Sequence, residues 1–182
     1  YNYKNSFIKS GYLSELEIDS SVQYLTQTYW QNNPGTMTDI DTEIYNLRAL
    51  YGLQLSKKLM LKSGLGYRYL FHHWKNRVTT TGGKGYDREQ DYSYIPIIAE
   101  LNTGKGNLKI EYDYIIDGNH TSHLSQSSAT LPDLDFENND GYMWKVSYAL
   151  VSDGIIYEPY YEFLRVEDSN TVSGSTEPQN TT

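Results

Sequence analysis

Cysteine is absent from the 182-residue sequence, and so is any long apolar run. Without thiols the chain cannot be a disulfide scaffold, use a thiol nucleophile or hold a thiolate-bound metal. The longest apolar run, near Ile95–Ala99, has about five residues, whereas a membrane-spanning helix needs about 20. Basic residues are outnumbered, with 15 Lys and Arg against 23 Asp and Glu and a net charge of −8. This balance argues against nucleic acid as the main partner, because phosphate binding requires a basic surface.

Tyrosine is abundant, at 19 residues, and most of the chain alternates apolar and polar side chains. The alternation is sharpest at 107–117, where Leu108, Ile110 and Tyr112 interleave with Lys109 and Glu111. A period of two is typical of strands with two unlike faces, and no stretch shows convincing helical periodicity. The pattern predicts an all-β fold with strand segments at residues 1–8, 12–30, 43–54, 59–74, 92–103, 107–117, 141–151 and 155–166.

The connections between these segments alternate in length. Short turns lie near residues 10–11, 56–58, 104–106 and 152–154, and long polar joins occupy 31–42, 75–91, 118–140 and 167 onward. This alternation is typical of an up-and-down antiparallel transmembrane β-barrel with short periplasmic turns and long outer loops, here one domain over residues 1–182. Both ends then lie on the outer side. We therefore expect the eight visible strands to be a fragment of ten, truncated at both ends, with 168–182 as an outer loop before a missing closing strand. A closed eight-stranded barrel is the alternative.

Alternation alone does not decide which face points inward, and a soluble ligand-binding barrel or a sandwich would enclose the apolar one. Three features favour an enclosed polar face. It mixes small residues such as Gly52 and Gly66 with large ones such as Arg48, as a crowded interior requires. Aromatic residues gather near strand ends on the apolar face, and that face is too bulky to fit inside a small barrel. The predicted aromatic girdle at the membrane surface comprises Trp30, Tyr45, Phe71, Tyr114, Tyr142, Trp144 and Phe163.

The polar face then lines the interior of the barrel with eight acids and five bases. An isolated charge away from water is costly, so these side chains must pair in a narrow barrel. We expect a packed, charge-paired lumen; the alternative is a narrow water path, lined by the surplus acids, through a porin-like channel. The predicted lumen charge network comprises Glu15, Glu17, Asp19, Arg48, Lys62, Arg68, Glu100, Lys109, Glu111, Asp113, Lys145, Glu158 and Glu162.

Five short patterns stand out at Gly64–Phe71, Gly85–Glu89, Glu111–Tyr114, Glu158–Phe163 and Glu177–Thr182. Taken together they resemble a family of small Gram-negative outer-membrane β-barrel proteins of mostly unassigned function. The resemblance implies a barrel of about ten strands, an outer-membrane location in a Gram-negative bacterium and insertion by the barrel assembly machinery. The expected partners of such a protein are the lipid bilayer and lipopolysaccharide. The resemblance carries no catalytic residue over.

The histidines all fall near the predicted outer rim. By parity His72 and Asp117 both face the interior, but roughly 10 Å separates them, which exceeds the reach of an omptin-like acid–histidine pair. Ser122 beside His123, in the loop predicted there, is a weak candidate for lipid A modification. We therefore expect no catalytic, cofactor-binding or metal-binding residues and no cofactor. The expected function is a structural or interaction barrel that displays its outer loops, with a narrow channel as the runner-up and a barrel enzyme as a distant third.

Overall fold

The computed structural model describes residues 2–10, 14–29, 35–138, 140–152 and 155–166, with side chains from residue 15 onward. One 3-10 turn lies at Leu124–Gln126, and no helix of the described ranges is long and apolar enough to cross a membrane. The described strands are β1 (Asn2–Ser10), β2 (Ser14–Tyr29), β3 (Met37–Gln54), β4 (Leu59–His73), β5 (Arg88–Asn102), β6 (Asn107–Ser122), β7 (Leu134–Glu137), β8 (Gly141–Ser152), β9 (Ile155–Tyr157) and β10 (Tyr160–Val166).

The strands form one antiparallel up-and-down sheet in the order β1-β2-β3-β4-β5-β6-β8-β10. The predicted all-β, up-and-down fold is therefore confirmed. Strands β9 and β10 both pair with β8 in the same register. They are separated from each other at Pro159, which has no N–H to donate. The Pro159 carbonyl still accepts a hydrogen bond from the Tyr148 N–H at 3.2 Å. The predicted segment 155–166 is thus one strand with a proline interruption.

The sheet is strongly curled, into a half-barrel. Arg68 in β4 and Glu162 in β10 stand four strand steps apart along the sheet, which would be roughly 19 Å if it were flat. Their charged atoms nevertheless lie 3.5 Å apart. Lys62 in β4 likewise reaches across β3 to Glu17 in β2 at 2.7 Å. These contacts require a concave face, and charged side chains line it.

The two faces of the curled sheet differ sharply in exposure. On β6, Ile110 and Tyr114 are 41% and 44% exposed on the convex face, whereas Glu111 and Asp113 are each 2% exposed on the concave face. On β8, Val146 is exposed on the convex face beside Lys145 on the concave face. The apolar face of the sheet is thus the exposed one, and the charged face is the enclosed one.

The strands extend further toward the long connections than the sequence predicts. Strand β3 begins at Met37, β5 at Arg88, and β6 continues to Ser122, so the loops predicted at 31–42, 75–91 and 118–140 were too long. Both faces carry polar residues in these extensions, and period two disappears although the backbone ladder continues through pairs such as Thr42 with His72. Strand β7, which pairs with the end of β6, also lies inside a predicted loop.

A β-bulge near the outer end of β6 changes which side chains face inward. Tyr94 pairs with Ile115 but Ser93 pairs with Asp117, so Ile116 is the extra residue. Beyond the bulge, His120 and Ser122 are buried on the concave face and Asp117 is exposed. The expectation that Asp117 faces the interior was wrong, because counting by parity assumes an unbroken ladder.

The connections on the side of the long joins fold into a compact unit, called here the outer cap, made of residues 74–87 and 123–138. Its small core contains the buried side chains of Leu124, Leu134 and Phe136, with Tyr86 and Leu131 packed against them. The backbone of Asp87 joins the two halves. Its N–H donates to the Gln126 side-chain oxygen at 2.9 Å, and its carbonyl accepts from the His123 N–H at 3.0 Å.

Candidate functional site

The concave face holds a layer of ion pairs across several strands. Arg48 contacts Asp19 on β2 and Glu111 on β6, and Lys109 lies 2.8 Å from Glu111. Some of these ion pairs join adjacent strands of the sheet. Others join strands that come close to each other only because the sheet curls. The layer also contains the pairs of Lys62 with Glu17 at 2.7 Å and with Glu100 at 3.2 Å, of Lys145 with Glu162 at 3.2 Å, and of Arg68 with Glu162 at 3.5 Å.

Glycines on β4 make room for this layer. Gly66 pairs with Arg48 across the β3–β4 ladder, and a Cβ on Gly66 would lie 2.3 Å from the Tyr94 ring. The ring therefore packs directly on the glycine backbone, and the Tyr94 hydroxyl donates to the Asn46 side chain at 2.6 Å. Small residues on the polar face thus let large ones cross the interior.

The remaining predicted lumen residues have less enclosed or less paired positions. Glu15 is half-buried near the turn end of β2. Glu158 is exposed but accepts a hydrogen bond from the buried Ser147 hydroxyl at 2.7 Å. Asp113 is buried, and its Oδ1 has no hydrogen-bond partner among the described residues.

A second, apolar layer lies on the concave face on the cap side of the ion pairs. Its buried members are Leu70, Tyr92, Tyr94 and Ile115, and partly buried side chains from β3 and β10 pack against them. Sequence reasoning missed this layer. The available signal is parity, because Tyr92 and Tyr94 alternate in step with the buried Pro96 and Ile98 of β5.

The predicted girdle residues lie on the convex face, apart from Trp30, which is outside the described residues. Tyr45, Tyr114, Trp144 and Phe163 are exposed, and Phe71 and Tyr142 are half-buried. Neighbouring rings contact one another, as with Tyr142 and Phe163 at 6.3 Å between centroids. Tyr112 was not among the predicted girdle residues, and its ring lies 4.7 Å from that of Trp144.

Two histidines occupy the concave face beneath the outer cap, beyond the bulge. Arg88 donates from Nε to His120 Nε2 at 3.0 Å, the Ser122 hydroxyl lies 3.1 Å from the same nitrogen, and His72 Nδ1 lies 3.0 Å from the Thr42 hydroxyl. Burial and then the charge of Arg88 lower the pKa of His72 to about 4 and that of His120 to about 3. Ser122 therefore meets His120 rather than the predicted His123. A buried serine beside so weak a base, whose lone pair already accepts from an arginine, is not set up for nucleophilic attack.

A third histidine lies on the other face of the same strand end. His123 Nε2 is 2.9 Å from Glu89 Oε1, and His123 Nδ1 is 3.1 Å from Asp133 Oδ2. Partial burial lowers the pKa of His123, but the hydrogen bonds to Glu89 and Asp133 outweigh it, and the pKa is raised above its ordinary 6.5.

Within the described ranges, no group of three or more histidine, aspartate and glutamate side chains is arranged to hold a metal ion. No family model matches the chain, and the comparisons with curated proteins and with solved structures also find no match. The resemblance to small Gram-negative outer-membrane barrels therefore stays a prediction.

Proposed function

We propose that this chain forms an outer-membrane β-barrel of a Gram-negative bacterium, with a packed, charge-paired lumen and a displayed outer cap, and that its role is structural or interactive. The barrel assembly machinery would insert it, and its surroundings would be the bilayer and lipopolysaccharide. The charged layer, the apolar layer above it and the cap are the three parts on which this proposal rests.

One observation carries the membrane assignment: the apolar side chains are on the outside of the curl. Among the described residues, 28 large hydrophobic side chains are exposed, whereas 12 hydrophobic ones are buried. Leu65 at 64% and Leu47 at 55% are typical of the exposed set. An apolar surface of this extent is rare on a soluble monomer. Exposing these side chains to hydrocarbon avoids the free-energy cost of exposing them to water.

The charged interior supports the same orientation. Buried charges persist only where opposite charges and hydrogen bonds compensate them, and the concave face supplies both. In a transmembrane barrel the polar residues face the interior and the apolar residues face lipid, alternating along each strand. The alternation of Ile110 with Glu111 follows that rule.

A filled interior favours a barrel whose lumen is blocked by side chains over a water-filled channel. Tyr92 and Tyr94 are 1% and 2% exposed, and they lie across the concave face between the ion pairs and the cap. A water path would have to pass these rings as well as the salt bridges. We also propose that the role is not enzymatic, because the serine–histidine contact found among the described residues, between Ser122 and His120, is buried and the histidine lone pair already accepts a hydrogen bond from Arg88.

Single-cysteine labelling tests the membrane assignment, and the absence of native cysteine makes every label unique. Leu65→Cys places a fluorophore on the convex apolar face, and Asp135→Cys places one on the exposed side of β7. In phosphatidylcholine vesicles we expect nitroxide-labelled lipids to quench the label at 65, and aqueous iodide to quench the label at 135. Equal access of iodide to both positions would overturn the proposal.

A further inference from the structure

The hydrogen bonds of His123 define its charge. Both ring nitrogens face carboxylate oxygens, Glu89 at 2.9 Å and Asp133 at 3.1 Å. A carboxylate can only accept, so each nitrogen must carry a proton. The ring is therefore an imidazolium held between two anions.

These two anions belong to different parts of the molecule. Glu89 lies near the start of β5 in the barrel wall, and the Tyr69 hydroxyl of β4 donates to its other oxygen at 2.7 Å. Asp133 directly precedes β7, and its Oδ1 accepts from the Ser125 N–H at 3.0 Å. The imidazolium thus joins the wall to the far side of the loop that contains the 3-10 turn.

We propose that His123 is a protonation-dependent clasp that fastens the loop 124–133 of the outer cap to the barrel wall. When the ring loses a proton, one nitrogen presents a lone pair to a carboxylate, and one of the two contacts becomes repulsive. The loop carries Leu124 and Leu131, so its release uncovers the apolar core of the cap. This inference does not depend on the bilayer, because it concerns only the folded cap.

The charged groups around the ring favour the protonated form on balance. Glu89 and Asp133 face it directly, Asp87 from segment 74–87 accepts the His123 backbone N–H through its carbonyl, and Asp135 on β7 accepts from the Thr121 hydroxyl nearby. The cations on the same elements are Arg88, which donates to His120 on the concave face, Arg77, which lies 3.6 Å from Asp41, and Lys75 and Lys84 in segment 74–87. Asp87 and Asp135 add two further carboxylates on the packed elements, but the two direct partners are the groups that raise the pKa of His123.

The pH dependence follows from the raised pKa of His123. A group whose folded pKa lies above its unfolded value stabilises the fold fully below the unfolded pKa, near 6.5, and this contribution is lost as the pH rises through the folded value. The clasp is therefore closed on the acid side and opens on the alkaline side.

Hydrogen exchange of the full chain in detergent micelles tests the clasp, with rates divided by intrinsic rates so that only protection is compared. Between about pH 6 and pH 9, we expect the protection of amides 124–133 to fall about three- to tenfold, the scale of two partly exposed ion pairs. His123→Gln should show low protection at both pH values.

His73→Gln is the matched control. His73 also contacts a carboxylate, Glu43 at 3.1 Å, but lies on β4 outside the loop, so the protection of 124–133 should retain its wild-type pH dependence. The same pH dependence in His123→Gln as in wild type, or none in wild type, would overturn the proposal.

An NMR titration of the His123 ring in the wild-type chain measures its pKa directly. This test does not depend on whether a variant at position 123 folds. We expect a midpoint above 6.5 that moves down in Asp133→Asn. A midpoint at or below 6.5 in the wild type would contradict the clasp whatever the exchange data show.

Discussion

Arg48 illustrates what a buried charge requires at the scale of one residue. The residue is 7% exposed, and its guanidinium contacts Asp19 on the neighbouring strand β2 and Glu111 on the other side of the curl. Guanidinium presents several donors in a fixed planar fork and therefore suits a position between two carboxylates. Removing this bridge takes a cation from both carboxylates and leaves Lys109 beside Glu111.

We expect Arg48→Met to destabilise the folded chain by about 3–5 kcal/mol, because it removes the buried cation that bridges Asp19 and Glu111. Denaturant unfolding monitored by tryptophan fluorescence measures the change. Lys105→Met, at an exposed turn, is the control and should stay within about 0.5 kcal/mol of wild type. If Arg48→Met matched Lys105→Met, the charged layer would have no structural role.

Acid should loosen the concave polar cluster beneath the cap. The pKa values of His72 and His120, about 4 and about 3, lie below the ordinary 6.5. The locally unfolded state, in which these histidines have their ordinary pKa, therefore binds more protons than the folded state below pH 6.5. The stability of this region is lost as the pH falls toward 4. Protease cleavage of the cap should accelerate between about pH 6.5 and pH 4 in wild type and change less in His120→Asn. A pH-independent cleavage rate would contradict this prediction.

Sequence reasoning predicted which face carries the charged residues, but not which of these residues pair with one another. Alternation alone puts Arg48 and Glu111 on the polar face, since each strand obeys period two. Which charges meet depends on the curvature of the sheet and on the register between strands, and neither is encoded in a local pattern. The bulge at Ile116 shows the limit, because one extra residue reversed the assignment of Asp117.

At the scale of elements, the outer cap has an apolar core of its own. Leu124, Leu134 and Phe136 are 7%, 8% and 7% exposed, although the surrounding sequence is polar enough to be read as a loop. On β7, Leu134 and Phe136 alternate with exposed Asp135 and Glu137 over only four residues, which is too short for period two to stand out in the sequence. The other strands were predictable because each has a long regular face, and the cap was not because its one strand is short.

Phe136→Ala should open the cap while leaving the barrel wall intact. Truncation of a buried phenylalanine costs about 3–5 kcal/mol, and this loss falls on a small unit with few other apolar contacts. Limited proteolysis should then cut within 123–138 much faster than in wild type. Val78→Ala truncates a side chain that is 60% exposed and should leave the cleavage rate unchanged; equal rates for the two variants would show that the cap has no independent core.

At the scale of the whole molecule, a charge introduced on the convex face distinguishes a bilayer from water. Leu65 and Leu55 are similarly exposed, at 64% and 59%, but Leu65 lies midway along β4 and Leu55 at the turn after β3. In a membrane, arginine costs about 2–4 kcal/mol at the midplane and about 0–1 near the interface.

We therefore expect Leu65→Arg to be more destabilising than Leu55→Arg by about 2 kcal/mol or more in lipid vesicles. Unfolding in urea from preformed vesicles measures the difference. In a water-soluble protein both exposed positions would accept arginine within about 0.5 kcal/mol, so equal effects would contradict the membrane assignment.

The filled interior predicts an absence of ion conduction. In planar bilayers the wild-type protein should give no reproducible current steps, because Tyr92, Tyr94 and the ion pairs occupy the concave face. Arg68→Ala should lower the temperature at which the protein unfolds on a gel without opening a pore. Regular steps from wild-type protein would instead support the channel.

The curl of the sheet also imposes an order on folding. Each ladder joins segments close together in the chain, but the contact of Arg68 with Glu162 spans 94 residues. Contacts between distant segments carry a large chain-entropy cost and form late. Hairpins can therefore assemble while their charged side chains are still hydrated, and those side chains lose their water only as the sheet rolls up, at the moment when their partners arrive.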